Sequence, residues 1–301
     1  MIATNELKIL TSHGTISLLH FPSAKQMPKI KVLCIHGYCC DARIFRYIGF
    51  EMSKRGYDVY AIDLLGHGKS DGPRGDPDFD RTIEAIKEVI DKIRDQSSFF
   101  LLGHSLGCTY VLWYALTYRH DIDGIILMSP YVRVKGIRCS GGEAVPTLPR
   151  FVKLFLLRLL VPSRRISAIK VVQDSIVRTS ETQQMINDPA INYYYSYKYI
   201  IDVIGIRNMK LRKFADIHIP VLLLHGKRDR NVFPQVSEEF FKRLRSTNKS
   251  ISIFDCDHWF YHSIFYNQKD EKYNEHDRQQ VVSTIMEWLN RVGNEGKRFF
   301  S

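Results

Sequence analysis

No apolar run in this chain is long enough to span a bilayer; the best stretch, Phe151–Val161, is broken by Lys153 and Arg158. Cysteine is sparse: Cys34, Cys39, Cys40, Cys108, Cys139 and Cys256 are scattered apart from one adjacent pair, and no metal-ligand spacing repeats. Met1–Leu10 carries Glu6 and Lys8 and lacks the apolar core of a signal peptide. Reduced cysteines in a cytoplasmic protein are the expectation. There is no arginine-rich tract, nucleic-acid motif, internal repeat or low-complexity linker, so no nucleic-acid partner is expected. Acidic residues are also in short supply, 32 against 43 lysines and arginines, for a formal charge of +11. That balance favours anionic partners such as a phosphate-bearing substrate or a membrane surface, or simply a basic enzyme.

What is present suits one large α/β unit with a smaller insertion: 301 residues, 45% of them hydrophobic. Glu6–Leu10 and Thr15–Phe21 read as two strands about the turn Ser12–His13–Gly14. Lys29–Ile35 is a buried strand, Ile44–Arg55 a helix ended by Gly56, Tyr57–Leu65 a strand, and Asp80–Asp95 an amphipathic helix with Ile83, Ile86, Ile90 and Ile93 on one face. A strand over Ile122–Ser129 follows the central strand and helix described next. Strands alternating with helices specify a mostly parallel sheet covered on both faces. The alternation stops from about Tyr131 to Ile217, where no strand pattern stands out and a mainly helical cap is expected. It resumes with strands at Ile219–Leu224 and Ser250–Asp255 and helices at Ser237–Arg245 and Gln279–Val292, with a polar, frayed end from Gly293. The organisation is therefore core (1–130), cap (131–217), core (218–301).

The chemistry centres on Ser98–Phe99–Phe100–Leu101–Leu102–Gly103–His104–Ser105–Leu106–Gly107. An apolar strand runs into Gly103–x–Ser105–x–Gly107 and then into a helix opening at Cys108, the pattern of a nucleophile elbow. A strained turn lifts the hydroxyl clear of the backbone, and the helix N-terminus offers N–H groups to a developing oxyanion. A nucleophilic serine needs a base, and the base an orienting acid. Asp229 and His258 both follow strands, where functional residues of open parallel sheets gather. His262 is the rival base. Asp255 and Asp257 lie on the histidine's own segment and read as loop or capping residues. His36, His67 and His225 read as turn packing and His104 as support for the nucleophile, while Asp63 is suited to holding the Gly66–Gly68 loop. The acids and histidines near His258 fit no metal spacing.

The order Ser, Asp, His, with His36–Gly37, Asp63–Leu64–Leu65–Gly66–His67–Gly68–Lys69–Ser70, His225–Gly226–Lys227–Arg228–Asp229 and Asp257–His258, resembles the α/β-hydrolases over nearly the whole length. It is most similar to their monoacylglycerol lipase and lysophospholipase branch, within the serine aminopeptidase S33-like group. The resemblance implies that Ser105 is the nucleophile, His258 the general base and acid, and Asp229 the residue that fixes its tautomer. It implies an oxyanion hole from the backbone N–H groups of Tyr38 and Leu106, and no metal or organic cofactor. Tyr38–Cys39–Cys40–Asp41 is bulkier than the glycine–glutamate–histidine-like sequence common in that branch. Cys39 and Cys40 either pack or line an acyl pocket.

The function implied is hydrolysis of carboxylic esters with a lipid-like acyl group. Thioester or carbon–carbon hydrolysis and acyl transfer share the same triad, and a ligand-binding receptor retaining it is the alternative of another class. Epoxide hydrolysis and dehalogenation call for a carboxylate where Ser105 stands, and nothing in the sequence supports a peptidase. In the cap, Phe151, Leu154, Phe155, Leu157 and Leu160 form an apolar face with Arg150, Lys153 and Arg158 around it. Packing on the core, lining the acyl pocket, is the favoured reading; an interfacial helix making peripheral membrane contact is the other. The tyrosines at 193, 194, 195, 197 and 199 read as cap packing.

Overall fold

The structure is a computed structural model describing residues 4–134, 137, 148–168, 187–207, 214–260 and 275–295. The chain enters through a hairpin, β1 (Asn5–Thr11) pairing antiparallel with β2 (Gly14–Phe21). β3 (Ile30–Ile35) is buried throughout, as its β-branched run requires. A 3-10 turn (Ala42–Phe45), capped by the Asp41 carboxylate accepting from the Arg43 amide, leads into α1 (Arg46–Lys54). One helix expected over Ile44–Arg55 is thus divided between these two elements. Gly56, at φ +92°, ends α1 in the left-handed conformation a C-terminal cap needs.

β4 (Asp58–Ile62) is followed by α2 (Phe79–Ile93), whose N-cap Asp78 accepts from the amides of Asp80 and Arg81. Then come β5 (Ser98–His104), α3 (Gly107–Thr117) and β6 (Gly124–Met128).

The segment between β6 and the next core strand departs from expectation in one way. α4 (Leu148–Leu160) forms where a mainly helical cap is expected. Pro149 falls in its first turn, where the missing N–H breaks no helical bond. Two three-residue strands, β7 (Arg165–Ser167) and β8 (Tyr194–Ser196), pair antiparallel where no strand was expected. A helical turn (Tyr197–Tyr199) and a π-helical stretch (Ile200–Arg207) follow β8.

β9 (Val221–Gly226), α5 (Pro234–Arg243), β10 (Lys249–Phe254) and α6 (Glu275–Glu295) complete the chain. Gly293 lies within α6, not beyond it, its added Cβ site facing Ile30 at 3.1 Å.

The main sheet has the order β1-β2-β4-β3-β5-β6-β9-β10. β2 runs antiparallel to β4, and every pair from β4 to β10 is parallel. α1 packs with α6, and α2 with α3, so each face of the sheet carries a helix pair. Trp288 of α6 meets Phe100 of β5 edge-on at 5.8 Å; Phe79 of α2 stacks on Tyr110 of α3 at 4.8 Å. The fold class read from the alternation, a mostly parallel sheet with helices on both faces, is the one observed. The parallel block matters most, because it brings the carboxyl ends of β3, β5, β9 and β10 to one edge.

Candidate active site

Ser105 occupies the turn between β5 and α3 at φ +52°, a left-handed conformation uncommon for a residue with a side chain. Its amide donates to the Met128 carbonyl at 2.9 Å, and its carbonyl accepts from Cys108 and Tyr131. The flanking glycines are sterically obligatory. A Cβ on Gly103 would stand 2.8 Å from the Cys108 backbone, and one on Gly107 only 2.2 Å from the Ile35 carbonyl oxygen. Strand, turn and helix are therefore packed backbone on backbone, which leaves the serine side chain at the apex.

The loop after β3 closes against this turn. A Cβ on Gly37 would lie 3.0 Å from Ser105 Cβ and 2.9 Å from the His104 carbonyl. Tyr38 follows directly, beside the elbow. Leu106 begins α3 from a helical conformation and is buried. Both amides, of Tyr38 and of Leu106, are left without an intrachain acceptor among the described residues.

Asp229 and His258 meet across β9 and β10. The two strands are in register, Gly226 opposite Phe254, so the turns after them leave the sheet together. His258 Nδ1 lies 2.7 Å from Asp229 Oδ2, with both side chains buried. A carboxylate accepts, so Nδ1 carries a proton. Asp229 Oδ1 accepts from the amides of Asn231 and Val232 at 2.8 and 2.9 Å. Burial acts to raise the Asp229 carboxyl. The attraction of His258 and hydrogen bonds from His225 and His258 outweigh that and hold it far below the usual carboxylate range. The acid is therefore ionised at any working pH.

His104 ties this pair to the elbow. Its Nε2–H donates to the His258 carbonyl at 2.9 Å, and the two rings stand 4.8 Å apart. Burial, with repulsion from His258, pushes its pKa down to about 3, so the ring between the two elements is neutral.

The remaining sequence candidates sort by geometry. Asp63 accepts from the amides of Ala42 and Lys69, each at 2.8 Å, and braces the Gly66–Gly68 loop as expected. Asp257 accepts from the Trp259 amide and Asp255 pairs with Arg228, so both serve their own loop. His36 Nε2 accepts from the Leu64 amide. Cys39 and Cys40 are buried, and burial raises both thiols well above their usual range. Cys34, Cys108 and Cys256 are free and buried as well, while Cys139 and the rival base His262 lie outside the described residues. No group of three or more metal-ligating side chains is found among the described residues.

Two neighbours of the site were not singled out from sequence. His225 is more than turn packing: its Nε2–H lies between the Val232 carbonyl at 2.9 Å and Asp229 Oδ2 at 3.3 Å. Its signal was the four-residue spacing from Asp229. Tyr195 reaches the loop after β3, donor and acceptor groups at once. Its contacts join residues 156 and 128 positions apart, which no local pattern encodes.

Comparison with known proteins followed the same lines. The family profile described as serine aminopeptidase, S33, matches residues 26–269, more than half of the chain. An uncharacterized abhydrolase domain-containing protein of Dictyostelium discoideum is 26% identical over 297 residues, covering 93% of this chain. The chain spans only 28% of that relative's length. A monoacylglycerol lipase of Mycolicibacterium smegmatis is 23% identical over 268 residues, covering 87% of this chain and 88% of the relative. Among solved structures, a soluble variant of monoglyceride lipase from Saccharomyces cerevisiae in complex with a substrate analog superposes with a TM-score of 0.78. It is 19% identical, with 97% of each chain covered, a likeness of fold. With this sheet order, elbow and matched length, the chain belongs to the serine aminopeptidase S33 family of α/β-hydrolases.

Proposed function

We propose that this chain is a serine hydrolase of carboxylic esters with lipid-like acyl groups. The observation that carries the reading is the buried Asp229–His258 pair at 2.7 Å, tied through His104 to the elbow on which Ser105 stands at φ +52°. In this reading His258 Nε2 takes the Ser105 hydroxyl proton as Oγ attacks the ester carbonyl. The Tyr38 and Leu106 amides receive the oxyanion, and losing one such donor typically costs a hundred- to a thousandfold in turnover, roughly. Collapse expels the alcohol, which takes the proton from His258. Water then attacks the acyl carbonyl as His258 removes its proton; the acyl–Oγ bond breaks, His258 returns the proton to Ser105 Oγ, and the carboxylic acid leaves. Asp229 keeps Nδ1 protonated and stabilises the imidazolium. The lipase names among the relatives support the acyl class. Steady-state hydrolysis of p-nitrophenyl esters from butyrate to palmitate, beside a monoacylglycerol, a lysophospholipid, an acyl thioester and an aminoacyl anilide, tests it. Turnover is expected on the esters, rising with acyl length. Preference for the anilide or the thioester would replace the reading.

We infer further that residues 131–217 form a cap over this site whose α4 touches membrane. The sequence favours packing of its apolar face on the core; of that face Phe155 and Leu160 stand 43% and 75% exposed, and Leu156 and Leu159 beside them 47% and 56%. Four such side chains on one helix are a patch, not scattered surface residues. From Ala144 to Gln173 there is no acidic residue, against six basic ones. Arg158 is committed to Asp202, leaving Lys153, Arg164 and Arg165 exposed beside the apolar residues. This pairing of apolar surface with positive charge suits the boundary of an anionic bilayer, at about 1 kcal/mol for each basic residue near the surface. No helix among the described residues is long and apolar enough to cross one. Flotation with phosphatidylglycerol-containing vesicles is expected to carry the protein upward, and Leu159→Glu with Leu160→Glu to abolish this. Equal flotation of the double variant would remove α4 from the contact.

A further inference from the structure

The loop that carries the Tyr38 amide is tied to β8 by the Tyr195 hydroxyl. Tyr195, in β8, is fully buried. Its oxygen accepts from the Cys39 amide at 3.1 Å and lies 3.3 Å from His67 Nε2. His67 Nδ1 is 3.0 Å from the Leu65 carbonyl, which can only accept, so Nδ1 bears the proton and Nε2 the lone pair. Burial, with repulsion from His36, pushes His67 down to about 3, which keeps that lone pair free of a second proton. The Tyr195 hydroxyl therefore donates to His67 and accepts from Cys39, and its direction is determined.

Cys39 needs such a hold. It stands at φ +54°, a left-handed conformation that a residue with a side chain seldom adopts. The Cys39 amide belongs to the peptide plane directly after Tyr38. Fixing that plane limits how the Tyr38 backbone can turn, and so where the Tyr38 N–H points. The Tyr38 ring packs on the Tyr195 ring at 4.2 Å, so ring and hydroxyl act on consecutive residues of one loop. A second tie runs from the same part of the chain. Arg43 bonds Asp41, two residues beyond Cys39, and reaches Asp188 at 2.7 Å.

We propose that Tyr195 is a positioning residue for the oxyanion hole, so that docking of the β8 segment on the core aims the Tyr38 amide at the substrate oxygen. This rests on the reading of Ser105 as an ester-attacking nucleophile. Tyr195 touches no reacting atom; it acts through Cys39 and Tyr38. The expected signature is loss of transition-state stabilisation without loss of substrate binding.

The test is Tyr195→Phe, which keeps the ring contacts and removes the hydroxyl. On a soluble p-nitrophenyl ester, kcat is expected to fall about 10- to 100-fold with KM within about twofold. A trifluoromethyl ketone, whose adduct with serine places an oxyanion in the hole, is expected to bind more weakly by the same factor. A melting temperature close to wild type shows that packing is intact. Arg43→Gln, which cuts the second tie, is expected to give a smaller fall in kcat with the same constancy of KM, and it decides the matter if Tyr195→Phe does not fold. Unchanged kcat in the folded variants, or a raised KM with unchanged kcat, overturns the proposal while leaving the hydrolase reading in place. Wild type that neither turns over esters nor binds the ketone overturns both.

Discussion

Ser105→Ala is expected to lower ester turnover by about 10⁴- to 10⁶-fold while leaving the melting temperature within a few degrees of wild type. The substitution is a clean one here. Alanine meets the same left-handed backbone at φ +52° as serine does, so the strain of the elbow is common to both proteins. The backbone bonds that fix the turn, from Ser105 to Met128 and from Cys108 and Tyr131 to Ser105, involve no side chain. Only the hydroxyl is lost. The residual rate measures what the Tyr38 and Leu106 amides and substrate binding achieve without a nucleophile. Rates measured on a soluble ester, with folding checked by circular dichroism, give the comparison. A variant retaining a tenth of the wild-type rate would place the chemistry elsewhere.

Asp229→Asn is expected to cost on the order of 10⁴-fold in kcat, with little change in KM. The surroundings decide how the amide sits. Two backbone N–H groups, of Asn231 and Val232, point at Oδ1 at 2.8 and 2.9 Å and require an acceptor there. The Asn oxygen must take that place, which turns its NH₂ toward His258 Nδ1. Nδ1 then becomes the acceptor and Nε2 takes the proton, so the proposed base has no lone pair left for the serine proton. The pH profile carries the same logic. In the wild type the Asp229 carboxylate stays charged through the acid limb of kcat/KM, so it adds no ionisation there. The depressed Asp229 carboxyl also stabilises the fold. That contribution is fully present above its unfolded value, about 3.9, and is lost as the pH falls through the folded one. An acid limb showing two coupled ionisations would contradict the assignment of charge.

Much of this was legible in the sequence, for a physical reason. Strands such as Ile30–Ile35 and Ser98–His104 are buried on both faces, so they appear as mostly apolar runs, Val32–Ile35 and Phe99–Leu102. The turns that end them carry glycines because backbone packs on backbone there, as at Gly107 against Ile35. Once the sheet is parallel, residues placed just after strands must converge at one edge. That is why the sequence offers Ser105, Asp229 and His258 together as candidates.

The segment from 131 to 217 resisted the same treatment. β7 and β8 are three residues long, too short for a period of two to register. Their pairing is set instead by cross-chain bonds, such as the Ser196 amide to the Gly75 carbonyl and the Ser196 hydroxyl to Asp76. α4 misled in another way. A helix apolar nearly all round is compatible with a buried site or with a membrane boundary, and sequence alone does not separate the two. The exposure of Leu159 and Leu160 is what favours the membrane-boundary proposal. Tyr195 was one of five clustered tyrosines, and only its partners set it apart.

The central claim is that Ser105 is an activated nucleophile. Intact-mass analysis after treatment with a fluorophosphonate tests it most directly, because the reagent needs the serine, its base and the oxyanion hole together. The expected result is one phosphonyl adduct on wild type, none on Ser105→Ala, and labelling slowed greatly in Asp229→Asn. Well-folded wild type that takes no adduct, or an adduct of equal mass on Ser105→Ala, would contradict the claim.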